Sequence, residues 1–370
     1  MFSANTIDLK VEKTDIFKDS LSQEGCYIAI AKSTPWENEN TPPRPTGSFK
    51  EFFQFYKDKL ESKRILKGEA FNMARRNTWK SGVVYDNYRH DLSYENKSTS
   101  NNKSLDECIY YVINSQNDIY ICLDNAKGAA SLVEPNNQFD VPFTTTDGYQ
   151  WLRISRLSGV QLQNYGTPSY IPIIQETAIK QKDGIITTVI IESGGKDYSN
   201  TPYGVKTRRP FFYCRIVGDG EGAIAKVTVL DGRVTEVDVI DMGEGYTYGE
   251  MLYENGTVFA SLEDLQNGTS PLNPEGVGLS TSVIIGPPGG WGSDLKRQLS
   301  SHDTGLFTSF SSEVDEDPFR QIGILHRVEI DEDLNEPIAN SGYLTYLSNF
   351  SPVTRSAGES IRISIIFTSK

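Results

Sequence analysis

The sequence predicts an α+β chain that is mainly β, on three observations: an aromatic-rich composition, alternating apolar runs closed by turn residues, and a glycine-punctuated internal repeat. Nineteen Tyr and 17 Phe stand among the 370 residues, a composition that favours pleated sheets and broad contact surfaces over helical bundles. A chain of this length makes about two domains of ordinary size, each able to bury a core without disulfides or metals.

The elements follow in order. The first twenty residues are polar and charged, and no secretion signal is expected because an uninterrupted apolar stretch is missing. Tyr27–Ala31 reads as a buried strand ended by the turn residues Ser33, Thr34 and Pro35. Pro42, Pro43 and Pro45 then forbid ladder or helix, so ENENTPPRPTGS is an ordered loop or short polyproline arm. Ser48 with Glu51 three residues on forms a capping box for a helix over SFKEFFQFYKDKLESKRIL. Its Phe49, Phe52, Phe53, Tyr56 and Leu60 recur at helical spacing and are expected in the core, with Lys57, Asp58 and Lys59 facing water. Strands are expected at VVYDNY and in the hairpin CIYYVINSQNDIYICLDN, separated by the polar loop ENKSTSNNKS.

From about Gln175 glycine punctuates short strands. DGIITTVIIESGGKDYS from Asp183 lines up with DGRVTEVDVIDMGEGYT from Asp231, each copy a turn, an alternating strand and a glycine bend ending in Tyr198 or Tyr246. GAIAKVTVL and RVTEVDVI around Asp231-Gly232 make the clearest hairpin. The expected organisation is an N-terminal part of the core over 1–175, an inserted β-hairpin repeat module over 176–280, and a return to the core over 281–370. In that last part GPPGGWGSDLKRQL reads as a turn and a short helix capped by Ser293 or Asp294, before FRQIGILHRVEI and SIRISIIFT, expected as edge or half-buried strands of the core's sheet system.

A formal charge of -13 repels phosphate backbones, so nucleic acid is not an expected partner. No apolar run reaches bilayer length, so no membrane span is expected either. Cys26, Cys108, Cys122 and Cys214 are scattered without the close pairing of zinc or redox sites, and His90, His302 and His326 lack metal spacing. GPPGGWGSD lacks the Lys-Ser/Thr ending of a phosphate loop. The acidic stretches EVDEDPF and DEDLNE lack EF-hand spacing. No catalytic residue, cofactor, metal or small-molecule substrate is therefore expected, while spacing alone leaves open a glycosidase carboxylate pair among the 49 acidic residues and with it a glycan hydrolase.

Several segments together resemble one family. YIAIAKSTPWENENTPPRP, ARRNTW from Ala74, IYICLDN, TTTDGYQWLRI from Thr144 and SAGESIRISIIFT look like the baseplate wedge subunit of T-even-like contractile-tailed bacteriophages, the gene product eight type. GPPGGWGSDLKRQL and DPFRQIGIL resemble versions in marine and cyanobacterial myophages. The glycine-rich stretch departs from the family as an apparent insertion. The resemblance implies a β-sandwich-like core decorated by a few helices, a homodimer, and a structural, non-enzymatic place in a virion among other baseplate wedge subunits. The candidate interface residues are Trp36, Pro42, Pro43, Pro45, Trp79, Trp151 and Trp291, rigid groups beside turns or arginines. A competing expectation is a carbohydrate- or receptor-binding tail protein that stacks sugars on Tyr198 and Tyr246.

Overall fold

The computed structural model describes residues 6–22, 25–89, 108–174, 182–199, 211–331, 336–337 and 341–368. The chain opens with α1 (Thr6–Leu21), β1 (Tyr27–Ala31), α2 (Phe49–Lys57), β2 (Lys59–Arg64) and β3 (Ala70–Arg75). Next come β4 (Tyr111–Ile113), β5 (Asp118–Asn125), β6 (Phe143–Thr144), β7 (Tyr149–Arg156), α3 (Gly159–Tyr165) and β8 (Tyr170–Pro172). Then follow β9 (Ile186–Lys196), β10 (Phe211–Gly218), β11 (Ile224–Leu230), β12 (Arg233–Asp241), β13 (Gly249–Met251), β14 (Val258–Phe259), α4 (Leu262–Asn267), β15 (Val277–Ile285) and α5 (Leu295–Gln298). The last strands are β16 (Asp303–Ser311), β17 (Glu316–His326), β18 (Ile330–Asp331), β19 (Glu336–Pro337), β20 (Tyr343–Arg355) and β21 (Ser360–Thr368).

Two compact units divide these elements, one of residues 1–74, 160–174 and 301–370, the other of 75–159 and 175–300. In the first, the antiparallel sheets β2-β1-β17-β20 and β21-β16-β3-β8 enclose one core. Ile28, Ile30, Ile322 and Ile324 from one sheet meet Leu306, Phe310, Ile363 and Ile365 from the other. This is a β-sandwich. All five residues of β1 are buried because alternate side chains point to opposite faces and both faces are covered. Ile28 and Ile30 enter the sandwich, while Tyr27, Ala29 and Ala31 meet Phe55 of α2. Small residues make room for that ring: Ala29 pairs with Gly323, where an added Cβ would come within 2.5 Å of Phe55.

Two local expectations are corrected here. The helix ends at Lys57, and Lys59–Arg64 is an edge strand instead. Its four charges suit that place, since they discourage a further strand from adding. The N-terminal stretch, read only as polar, forms α1. Its inward side chains Val11, Thr14 and Leu21 are buried, but Leu9 and Ile16 point outward, so no clean apolar stripe marks it in the sequence.

In the second unit, the sheet β4-β5-β7-β6 carries an aromatic core. Tyr149 and Trp151 stack at 5.4 Å and Tyr85 meets Trp151 edge-on at 5.7 Å. VVYDNY is not a strand. It is irregular chain held by a bridge from Val83 to Ser131, by the amides of Asp86 and Tyr88 donating to Ile109 O at 3.0 Å and Cys122 O at 2.7 Å, and by Asn125 Nδ2 donating to Tyr85 O at 2.9 Å. Residues 75–159 and 281–300, expected with the core, group instead with the repeat-bearing segment. Side-chain bonds link these segments: Thr188 Oγ1 donates to Gln150 Oε1 at 2.9 Å, and Trp291 Nε1 to Thr187 Oγ1 at 2.8 Å. The polar loop ENKSTSNNKS lies outside the described residues.

The two sequence copies adopt matching geometry. Gly184 and Gly232 have φ of 59° and 72°, Gly195 and Gly243 of 64° and 59°. Each copy closes on the other: Tyr198 N donates to Gly232 O at 3.0 Å, and Tyr246 N to Gly184 O at 2.9 Å. β12 pairs with β11, joined by the tight Asp231-Gly232 turn, whereas β9 pairs with the distant β15. The two ladders nevertheless share one register. Lys226↔Asp238, Val227↔Val237 and Thr228↔Glu236 correspond to Ser282↔Ile190, Val283↔Val189 and Ile284↔Thr188, and both ladders carry two irregularities at equivalent steps. β15 is thus the counterpart of β11, and the duplicated segment pairs its first strand with its last.

One carboxylate organises the turn before β7. Asp147 accepts from the amides of Leu132 at 2.7 Å and Val133 at 2.9 Å, and from the hydroxyls of Ser131 and Thr145. Burial pushes its carboxyl up, but these hydrogen bonds outweigh burial and hold it below the usual carboxylate range. A depressed folded value contributes stability that is present above the unfolded value of about 3.9 and lost as pH falls through the folded one. Asp147→Asn is expected to remove this acid dependence of the unit. Urea midpoints from pH 7 down to pH 2 check it; parallel profiles for the two proteins would contradict it.

Candidate docking surface

α2 starts where the sequence places it. Glu51 N donates to Ser48 Oγ at 3.3 Å, and Glu51 Oε2 reaches back to the amides of Thr46 and Gly47 at 2.8 and 3.0 Å. The reciprocal bond therefore falls on the residues before the cap, sealing the end of the proline-rich stretch. The helix then turns a different face inward from the one expected. Phe55 is fully buried, Phe52 and Tyr56 are half-buried, and Phe49 and Phe53 stand 85% and 64% exposed.

The exposed rings border a groove. Tyr56 leans across it, its hydroxyl donating to Gly342 O at 3.0 Å, and Tyr343 at the start of β20 stands on the far side, 66% exposed. The groove measures about 620 Å³ and is lined by Phe49, Phe52, Phe53, Tyr56, Tyr343 and Leu344, with Lys57 at its rim. Taking roughly 200 Å² per aromatic side chain, the three most exposed rings leave on the order of 400 Å² in water. That is the size at which apolar patches on soluble proteins are often functional. Such a surface can bind by covering apolar area.

The proline-rich stretch is a strap beside β17 and β20. Arg320, nearly buried, donates to Glu39 Oε1 at 2.9 Å and to Ser33 O at 2.6 Å. Trp36 Nε1 donates to Phe350 O at 3.0 Å, with Lys32 Nζ 4.3 Å from its ring centre. Asn349 Nδ2 donates to Pro43 O at 2.8 Å. Pro43 and Pro45 remain exposed while Trp36 and Pro42 are half-buried.

The other candidate residues do not join them. Trp79 is half-buried and donates to Ser131 Oγ at 3.1 Å. Trp151 is fully buried and Trp291 is 6% exposed, packed on Tyr88 at 4.8 Å. These two are core residues and not surface anchors, because their own sheets and turns already enclose the rings. Tyr198 and Tyr246 are buried as well; Tyr246 accepts from Ala223 N and donates to Ile216 O. Neither offers a face to a sugar. Sequence reasoning missed Lys50, Tyr343 and the outward phase of α2, which five aromatics in eight positions leave ambiguous.

Several other chemistry-bearing groups among the described residues are engaged within the chain. The four cysteines are buried. Cys26 Sγ lies 3.7 Å from His326 Nε2, but burial pushes the thiol up to about 12 and the imidazole down. Both shifts favour neutral partners, the opposite of an activated thiolate. The glycine turn before α5 closes on Gln298, whose carboxamide accepts from Gly292 N at 2.8 Å and donates to Gly290 O at 2.9 Å. At EVDEDPF, Arg355 pairs with Glu316 and, at 3.2 Å, with Glu61. Among the described residues no cluster of three metal-ligating side chains occurs. His90 and most of DEDLNE lie outside the described residues. Neither a protein-family model nor a curated protein matches the chain.

Proposed function

We propose that this chain is a structural baseplate wedge protein of a contractile phage tail, working without catalysis by packing against other wedge subunits and against a second copy of itself. The family and virion setting rest on the ordered resemblance of segments from Tyr27 to Thr368. The observation that carries the docking reading is the aromatic groove of α2 and β20, whose Phe49, Phe53 and Tyr343 rings stand open to solvent. Such a surface is costly to leave in water and is offset when a partner covers it.

Light scattering of the purified chain, alone and with neighbouring wedge proteins, tests the proposal. The expected result is a dimer that enters a larger defined complex, from which Phe53→Ser is excluded or held at least tenfold more weakly. A monomer that ignores those proteins overturns it. So does absence of the chain from purified virions.

A further inference from the structure

The groove also carries information about what fills it. Lys50 and Lys57 lie seven residues apart on α2, two helical turns or about 10 Å, and both are exposed. Among the described residues no carboxylate pairs with either. Phe53 lies between them on the outward side of the helix. The outward face of α2 is thus an aromatic strip bracketed by two unpaired ammonium groups, on a chain whose formal charge is -13. Local charge opposite to the net charge is a feature that selects partners, because it favours one sign at the groove while the whole molecule disfavours that sign elsewhere.

We infer that the groove takes a short acidic amphipathic helix, with apolar side chains at i, i+3 or i+4 and i+7 entering between Phe49, Phe53 and Tyr343 and carboxylates flanking them to meet Lys50 and Lys57. The inference rests on the docking function proposed above and names the chemistry of the partner. Area supports a segment over a whole second subunit. The exposed aromatic surface of on the order of 400 Å² is about half of what one partner contributes to an ordinary interface, and it suits the apolar face of two or three helical turns. An anionic bilayer presents the same charge, but it faces the entire acidic molecule and not one groove.

The test uses the full-length chain and three fluorescent probes: an 18-residue helical peptide with Leu at i, i+3, i+4 and i+7 and Glu on its flanks, the same peptide with Lys for Glu, and phosphatidylglycerol vesicles. The acidic peptide is expected to bind at least tenfold more tightly than the basic one, and more weakly as salt rises. Phe53→Ser is expected to weaken it at least tenfold, and Lys50→Glu with Lys57→Glu to reverse the preference between peptides. Equal binding of both peptides, insensitivity to Phe53→Ser, or binding to vesicles alone overturns the inference. If the acidic peptide fails while Phe53→Ser still blocks wedge assembly, the partner chemistry is wrong and the docking role survives. If assembly is also unmoved, both fall.

Discussion

Phe55→Ala is expected to destabilise the sandwich unit by about 3–5 kcal/mol, the range for removing a fully buried aromatic ring. Phe55 is the only fully buried side chain of α2, and it fills a space made by Ala29, Ala31 and Gly323, none of which can extend to close the cavity. The surroundings also resist collapse because β1 and β17 are central strands, each hydrogen-bonded on both sides. The neighbouring Phe53→Ser, on the exposed phase of the same helix, is expected within about 0.5 kcal/mol of the parent. Denaturant midpoints for the two variants separate core from docking face. Similar losses at both positions would mean that α2 sits in a different rotation from the one described.

Gly220→Ala and Gly276→Ala are expected to destabilise the second unit by similar amounts, about 1–3 kcal/mol each or somewhat more, as overpacking does. An added Cβ at Gly220 would come within 2.5 Å of the Tyr246 ring, and one at Gly276 within 2.0 Å of the Tyr198 ring. Neither glycine has a positive φ, so the cost is steric. The two positions are equivalent in the duplicated ladders, each preceding the strand that pairs with its copy. Hydrogen exchange at β11 and β15 alongside the denaturant midpoints shows whether each lesion loosens its own ladder first. A neutral Gly276→Ala would break the equivalence of the two copies.

What the sequence made legible was local. β1, the β4–β5 hairpin, the Asp231-Gly232 turn and the start of α2 each carry their signal within a few residues, as a turn pair, an alternation or a cap. Facing was harder to read. Phe49, Phe52, Phe53, Phe55 and Tyr56 satisfy helical spacing in more than one phase, and only the small residues Ala29 and Gly323, far apart in the chain, select Phe55. Distant pairing was not readable at all. The repeat was visible, but not that its first copy takes its ladder partner from β15, since no local pattern joins Ile190 to Ser282. Tryptophan identity likewise could not separate Trp36 in the strap from Trp151 in the core.

The pairing of β9 with β15 sets a clock on synthesis. Lys196 and its ladder partner Val277 are separated by about 80 residues, which a ribosome adding roughly 5–20 residues per second needs on the order of 4–16 s to supply. For that interval the nascent β9 presents an unpaired, β-branched edge bearing Ile186, Val189 and Ile191, a ready template for another chain. Slower translation lengthens the exposure, and a messenger truncated before Val277 makes it permanent. Yield of intact protein should therefore depend on chaperone supply during this window more than on the stability of the finished molecule.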